Sequence, residues 1–188
     1  MKLSFSIFWN IPDLKTFFET LFFFDGNEKY SYKVIQNIKK DDFESCKERV
    51  NILFYKGYTY VQKDGFVLHL NNLIEGWVNR TRLCALHNKL KAAYICIDDE
   101  TKYPAFKIDY YEDGKERIIY TLKDGAKWIF YEKGESQFFE KNVSYTEKKA
   151  YEKFNYEKLL LLCKNLGVNF SEKDFFIPVS PVYYDFRK

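Results

Sequence analysis

The sequence predicts an α+β fold, in which an antiparallel meander sheet of five or more strands carries N-terminal and C-terminal helices packed on it. Pairs of a polar residue followed by glycine recur roughly every ten residues between Ala92 and Phe139, a spacing typical of strands joined by tight turns. These pairs are Asp113-Gly114, Asp124-Gly125 and Lys133-Gly134. Two stretches near the chain ends instead place apolar residues at helical intervals. Aromatic residues make up 20% of the 188 residues, which supplies side chains for a large core. No Pro-, Gly- or Ser-rich linker divides the chain, so residues 1–188 are predicted to form a single globular domain.

The first half of the chain alternates predicted strands and helices. Asn10 is expected to cap the first helix, because Pro12 and Asp13 follow at positions that suit a first turn. Asp25-Gly26 is expected to end that helix. In order, the predicted elements are a strand over 2–9, a helix over 11–24, a strand over 29–38, a helix over 41–54, a hairpin over 57–70 and a helical pattern over 71–91.

The end of the chain carries the clearest helix signal. Asn155 can cap a helix that runs to Gly167, and Val168 follows at the apolar position of a Schellman motif. The remaining segment contains Pro178 and Pro181, which lack the amide donor that a central strand needs. It is therefore predicted to be a short edge strand or an ordered tail.

Strand register in the meander follows from turn length, if Asp113-Gly114 and Asp124-Gly125 are both two-residue turns. Ile108 then faces Ile119, and Ile119 faces Phe130. Alternation collects apolar side chains on one face, which we call the first face and expect to line the core. Its members are Phe106, Ile108, Tyr110, Ile119, Trp128 and Phe130.

The opposite side of the meander, which we call the second face, has a mixed composition. Its members are Lys107, Asp109, Tyr111, Glu116, Ile118, Tyr120, Ile129 and Tyr131. Phe138 would join them beside Ile129 if Lys133-Gly134 were also a tight turn. Two interpretations stay open: a helix covers this face, or the face binds a partner or ligand. In the second case the three tyrosines would be anchors, and Lys107, Asp109 and Glu116 would provide specificity at the rim.

The sequence contains none of the glycine-rich phosphate-binding motifs, zinc-protease motifs or nucleophile elbows that identify common enzymes. Cys84, His87 and Cys96 form a partial metal-ligand pattern without an evident fourth ligand, and buried core thiols explain the same residues. We therefore predict no catalytic residues, no cofactor and no metal site.

An alternative is a metal-dependent enzyme centred on Asp98 and Asp99. Glu100 follows directly, and Asp109, Glu112 and Asp113 are near in sequence. Several carboxylates close together can bind magnesium or transfer protons, and Lys107 or Lys115 could supply a neighbouring positive charge. The simpler interpretation is a solvated loop at 98–104 and turn chemistry at 112–114.

A second alternative is a nucleic-acid-associated or phage-related regulator, because aromatic residues alternate with lysines on the strands. Acidic residues accompany the lysines closely, however, and the net charge is only +3, so nucleic acid is not the expected partner.

Cysteines within apolar runs suggest a reducing compartment, and no apolar run reaches the length of a membrane span. The sequence therefore predicts a cytoplasmic protein without a membrane partner.

The layout resembles small bacterial immunity proteins of polymorphic-toxin systems. The resemblance lies in the meander "AYICIDDETKYPAFKIDYYEDGKERIIYTLKDGAKWIFYEKG" followed by "FNYEKLLLLCKNLGV", and covers about half of the chain. It implies a compact α+β protein that binds and blocks a cognate toxin, and it transfers no individual residues. Many such proteins are acidic, whereas this chain has a net charge of +3.

Overall fold

The computed structural model describes residues 2–22, 30–41, 57–62, 64–71, 77–99, 104–172 and 174–187. The strands are β1 (Lys2–Phe8), β2 (Tyr30–Ile35), β3 (Gly57–Gln62), β4 (Val67–Asn71), β5 (Ala92–Asp98), β6 (Ala105–Glu112), β7 (Lys115–Asp124), β8 (Lys127–Lys133) and β9 (Pro178–Arg187). The helices are α1 (Leu14–Phe22), α2 (Trp77–Asn88), α3 (Ala150–Lys153) and α4 (Tyr156–Asn165), with a 3-10 turn at Phe138–Glu140. The predicted helix stop at Asp25-Gly26 and the helix predicted over 41–54, from residue 42 onward, lie outside the described residues.

The described strands form one nine-stranded sheet in the order β2-β9-β3-β4-β1-β5-β6-β7-β8. Every neighbouring pair is antiparallel. The predicted α+β class and the antiparallel sheet of five or more strands are therefore confirmed. Among the described helices, none has both the length and the apolar character to cross a membrane.

The register predicted for β6 and β7 is confirmed residue by residue. Glu112 pairs with Lys115, and Ile108 pairs with Ile119. Asp113 and Gly114 both have positive φ, at 52° and 74°. These values define a type I′ turn, whose twist matches that of the flanking strands.

The next turn consists of Gly125 and Ala126, so the prediction of Asp124-Gly125 is wrong by one position. Asp124 pairs with Lys127, and Thr121 pairs with Phe130. Gly125 has a φ of 58°, which places glycine at the first central position of a type II′ turn. The resulting register differs from the predicted one by two residues, an even number, so every side chain keeps its predicted face.

The C-terminal segment forms β9, which lies between β2 and β3. The prediction of an edge strand or tail is therefore wrong. Pro178 lies at the end of the strand opposite Gln62, and Pro181 falls within the register shift beside Tyr60 and Val61. The pairing with β2 begins only at Val182. Both prolines thus avoid the doubly hydrogen-bonded part of β9, where a missing amide would break the ladder.

Side-chain caps define where two of the helices begin. The carboxylate of Asp13 accepts hydrogen bonds from the amides of Lys15 and Thr16 at 3.2 and 3.0 Å, so Asp13 caps α1. The prediction of Asn10 as this cap is wrong, because Asn10 lies at a φ of 60° before the helix. Asn155 caps α4 as predicted, accepting from the Lys158 amide at 3.0 Å.

The end of α4 is a Schellman motif, as the sequence predicted. The Val168 amide donates to the Cys163 carbonyl at 2.8 Å, and the Gly167 amide donates to the Lys164 carbonyl at 3.0 Å. Gly167 has a φ of 80°, and the Val168 side chain is buried. The capped α4 contributes Leu159, Leu162 and Cys163 to the core cluster on the first face.

Two apolar clusters lie on opposite faces of the sheet. The first-face cluster contains the inward side chains of β1 and β3–β7 together with α4 and the aromatic residues of segments 139–154 and 170–176. The second-face cluster contains Phe8, Val67, Ala92, Tyr94, Tyr111 and Tyr183, with Phe17, Phe18 and Leu21 of α1 and Cys84 and Ala85 of α2. The two clusters together bury strands on both sides, which explains why polar side chains within the sheet need partners of their own.

A buried ion pair fastens the segment after β8 to the first face. Arg117 donates from Nε and Nη2 to the two carboxylate oxygens of Glu140, at 2.9 and 2.7 Å. It also donates to the Gly134 carbonyl at 2.9 Å and to Glu132 at 2.7 Å. Both members of the Arg117–Glu140 pair are buried, so Glu140 depends on Arg117 for compensation, and Arg117 depends on Glu140 together with the more exposed Glu132.

We expect Glu140→Gln to lower the free energy of unfolding by about 3 kcal/mol, because it leaves the buried Arg117 charge partly uncompensated. Urea denaturation monitored by tryptophan fluorescence measures this change. Glu152→Gln is the matched control, because Glu152 pairs with Lys149 at 3.0 Å where both side chains are exposed. The control should shift stability by at most about 0.5 kcal/mol, and equal shifts for the two variants would refute a special role for the buried pair.

Candidate functional site

The eight residues predicted to form a recognition surface all lie on the second face of β6–β8. The register pairs Lys107 with Tyr120, and Tyr120 with Tyr131. Neighbouring rows complete the set, with Asp109 opposite Ile118, Tyr111 opposite Glu116, and Ile129 opposite Leu122. The structure nevertheless divides them into a covered part, a margin and an open part.

Helix α2 covers the part of the face nearest the Asp113-Gly114 turn. Tyr111 is buried in the second-face cluster with Cys84 and Ala85 of this helix. Asp109, one row further along, is only 1% exposed. Neither residue can contact a partner in this conformation, so Tyr111 as an anchor and Asp109 as a rim residue are corrected. The prediction failed because helix coverage depends on a contact between α2 and strands that follow it in the chain.

An ion-pair network lies at the margin of the covered part. Glu116 accepts from Arg82 Nε of α2 at 3.1 Å and also bonds Lys133 of β8. Lys133 first, and Arg82 in addition, hold the pKa of Glu116 below its usual value. The network therefore links the helix to both outer strands and places charges of both signs beside the open part.

The open part consists of Ile118, Tyr120, Ile129 and Tyr131, and we call these four residues the aromatic patch. Ile129 is 42% and Tyr131 41% exposed, high values for large apolar side chains within a strand. The Tyr120 and Tyr131 rings stack with centroids 5.0 Å apart and planes at 24°. Stacking across a strand pair holds both rings in place, so the patch is organised before any partner binds.

Phe138 does not join the aromatic patch, and its predicted position beside Ile129 is wrong. Gly134 has a φ of 86° and is followed by an irregular segment and the 3-10 turn, so Lys133-Gly134 is not a hairpin tip. The Phe138 ring contacts Tyr110 on the first face, at a centroid distance of 6.3 Å. Lys91 Nζ lies 4.9 Å from the Phe138 ring centroid, a cation–π geometry.

Lys107 connects the aromatic patch to the buried Asp109. Its Nζ lies 2.9 Å from Asp109 Oδ2 and 5.9 Å from the ring centroids of both Tyr94 and Tyr120. Neither oxygen of Asp109 receives a well-aligned hydrogen bond from the described residues. Burial raises the pKa of Asp109 to about 6, although Lys107 opposes the shift. This carboxylate is therefore poorly compensated for its depth.

A band of buried polar side chains crosses the second face beyond β6, and sequence analysis did not find it. One row runs Thr59, His69, Ser6, Tyr94, Asp109, and the next runs Gly57, Asn71, Ser4, Cys96, Lys107. Thr59 Oγ1 lies 2.7 Å from His69 Nδ1, and Ser6 Oγ lies 2.6 Å from Thr81 Oγ1 of α2. Ser4 bonds the Asn71 carboxamide and lies 2.9 Å from the Tyr94 hydroxyl.

The polar band is closely packed and electrically neutral over β3 and β4. Burial lowers the pKa of His69 to about 3, so its imidazole is uncharged at neutral pH. A Cβ at Gly57 would lie 2.5 Å from His69 Cε1, which explains why this row contains a glycine. The sequence signal is the alternation of polar with apolar residues, with Ser4 and Ser6 on β1 and His69 and Asn71 on β4. Its meaning depends on pairing between strands that are distant in the chain.

The candidate metal ligands Cys84, His87 and Cys96 do not converge on one position. Both Cys84 and His87 belong to α2, but Cys84 is on its buried side, whereas His87 is exposed. Burial raises the pKa of both Cys84 and Cys96 to about 12, as expected for thiols packed within a core. No group of three or more His, Cys, Asp or Glu side chains within the described residues could hold a metal ion.

The acidic residues considered for catalysis are also dispersed. Asp98 lies opposite Ala105 at the far end of β5, and it pairs with Lys2 at 3.9 Å. Asp109 lies opposite Tyr94, four residues away along the same ladder, or roughly 13 Å at the rise of a strand. Glu112 and Asp113 belong to the turn at the other end of β6. Glu100 lies outside the described residues.

Comparison with known protein families, with curated proteins and with solved structures finds no match to this chain. The geometry of the second face is therefore the basis for a functional interpretation.

The raised pKa of Asp109 predicts a pH dependence of stability. The folded-state pKa of about 6 lies above the reference value of 3.8, so folding binds a proton between these values and stability rises as pH falls. Relative to Asp109→Asn, which cannot titrate, the natural protein should gain about 1 kcal/mol of unfolding free energy between pH 7 and pH 5. Urea denaturation of both proteins at the two pH values measures this difference. A difference of the opposite sign would show that Lys107 dominates over burial.

Proposed function

We propose that this chain is a non-enzymatic protein-binding module, an immunity protein that binds a cognate toxin and occludes its active site or substrate path. The observation that supports this proposal is the aromatic patch: Ile129 and Tyr131 are about two-fifths exposed and lie side by side on β8, next to the ordered Tyr120. Exposed apolar side chains grouped in this way are typical of binding surfaces.

The composition of the surface fits a protein partner. An apolar and aromatic centre is bordered by Lys107 and by the Glu116–Lys133 pair, which matches the arrangement of interfaces with an apolar core and a charged rim. Of the predicted anchors, Tyr120 and Tyr131 remain available, whereas Tyr111 lies beneath α2. The rim residues would determine partner choice and association rate more than affinity.

The mechanism we propose is steric occlusion by a preformed surface. The patch lies on hydrogen-bonded strands, and its central ring is held by stacking at 5.0 Å. Binding would therefore immobilise few side chains, which lowers the entropic cost of association. No chemical step is required of the chain.

A protein partner agrees with the electrostatics better than a nucleic acid does. Lys107 pairs with Asp109, and Lys133 and Arg82 both pair with Glu116. Two carboxylates offset two of these three cations, so this border keeps a charge of only about +1. Such a small charge contributes little to phosphate binding, which depends on releasing counterions from the nucleic acid. The net charge of +3 is also small for such a role.

The proposal predicts a defined effect of Tyr131→Ala. We take as the toxin candidate the product of the gene directly upstream of the one encoding this chain. We expect that product to arrest growth when expressed alone and co-expression of this chain to relieve the arrest. Tyr131→Ala should weaken binding to that protein by roughly 30-fold, or about 2 kcal/mol, as measured by isothermal titration calorimetry, and should reduce protection.

The control for this experiment is Leu161→Ala. Leu161 has a similar exposure of 38% but belongs to α4, which packs on the first face. Leu161→Ala should leave both the affinity for the toxin candidate and the protection from growth arrest unchanged. Wild-type behaviour of Tyr131→Ala, at an unchanged melting temperature, would remove the aromatic patch from the proposed interface.

A further inference from the structure

Among the strands that the structure describes, β8 lies at one end of the sheet, and none of them pairs with its outer side. The two-residue turn makes Asp124 and Lys127 a hydrogen-bonded pair, and such pairs then recur at every second residue along β7 and β8. The residues between them direct both the amide and the carbonyl away from β7. These residues are Trp128, Phe130 and Glu132.

The outward backbone groups are not used within the part of the chain that the structure describes. Apart from the β7–β8 ladder, the backbone hydrogen bonds found in these residues include none to the outer side of β8. Exposed unpaired edges are sites at which another strand can add to a sheet. β8 is seven residues long, enough for a partner to form a complete ladder.

The side chains of β8 restrict which strand could add there. On the first face, Trp128 packs against Tyr151 at 4.7 Å and Phe130 against Tyr145 at 5.7 Å between ring centroids, so this side is covered. On the second face the edge presents Lys127, Ile129, Tyr131 and Lys133 in succession, and all four are exposed. On the second face, the side chains of β8 are therefore two large apolar residues with a lysine at each end.

A second copy of the chain is a poor match for this edge. The antiparallel register that overlaps two copies fully places Phe130 opposite Phe130, and so places Lys127 opposite Lys133 at both ends. Like charges directly opposite each other destabilise a strand pair. Edge lysines of this kind discourage self-association while leaving the edge usable by a strand with complementary charge.

We infer that β8 binds an extended strand of the partner, added antiparallel to the sheet edge, in which two apolar residues on one face are flanked by acidic residues. This inference rests on the proposed function and specifies its binding mode. The apolar residues extend the aromatic patch by another strand. One acid pairs with Lys127, and the other faces Lys133, where Arg82 and Lys133 share the single carboxylate of Glu116 and keep one positive charge. Backbone hydrogen bonds to Trp128, Phe130 and Glu132 complete the ladder.

The probe for this inference is the capped, fluorophore-labelled peptide Glu-Thr-Val-Thr-Ile-Thr-Glu, and fluorescence anisotropy with the full chain measures its affinity. The peptide should bind roughly tenfold more tightly than the same peptide with lysine at both ends. Lys127→Glu should weaken binding of the acidic peptide by about fivefold and strengthen binding of the lysine peptide.

Two further measurements separate strand addition from simple contact with the patch. Under saturating acidic peptide, hydrogen exchange at the amides of Trp128, Phe130 and Glu132 should slow by roughly tenfold. N-methylation of the central threonine, whose amide faces Phe130, should abolish binding, whereas N-methylation of the neighbouring valine, whose amide faces away from β8, should preserve it.

Four outcomes would overturn the inference: no binding, binding that is independent of end charge, unchanged exchange at the three amides, or a dimer at micromolar concentration in which a second copy occupies β8. The peptide experiment does not involve the toxin candidate. If the peptide fails while Tyr131→Ala still weakens toxin binding, strand addition is refuted and the proposed function stands. If the peptide binds as expected but the toxin candidate does not bind, the proposed function is refuted for that protein and strand addition at β8 stands.

Discussion

Backbone register across the sheet is the constraint on which the rest of this structure depends. Side chains alternate between faces, so an odd-numbered slip at any one turn would exchange the core side chains of a strand with those of its opposite face. The tight turn at Asp113 and Gly114 fixes this register for β6 and β7, and Gly125 fixes it for β8. The displaced second turn shows how robust the result is, because a shift of two residues left every face unchanged.

The second face shows how one surface can serve both stability and recognition. Helix α2 covers Tyr111, and the Glu116 network ties this helix to the outer strands. Beyond that margin the face has no helix among the described elements, and Ile129 and Tyr131 stay exposed. The same helix that completes the core thus limits the surface open to a partner and supplies part of its charged border.

Polar groups inside the sheet serve a different purpose from those at its edge. The buried band from Thr59 to Asp109 is joined by side-chain hydrogen bonds across several strands, and mispaired strands would leave these groups unsatisfied. Asp109 is the exception, because it is buried and forms an ion pair with Lys107 while neither of its oxygens receives a well-aligned hydrogen bond from the described residues. Lys107 links this poorly compensated charge to Tyr120, so the interior of the sheet and the aromatic patch are electrostatically connected.

The sequence by itself determined the local features: alternation within β6–β8, the type I′ turn, the Asn155 cap and the Schellman motif at Gly167. Each depends on neighbouring residues, whose chemistry restricts the backbone directly. Only the tertiary structure decided that β9 lies inside the sheet, that α2 covers Tyr111 while the neighbouring Asp109 is buried, and that Arg117 meets Glu140. These outcomes join segments that are far apart in the chain, and their energies come from burial and pairing that no local pattern records.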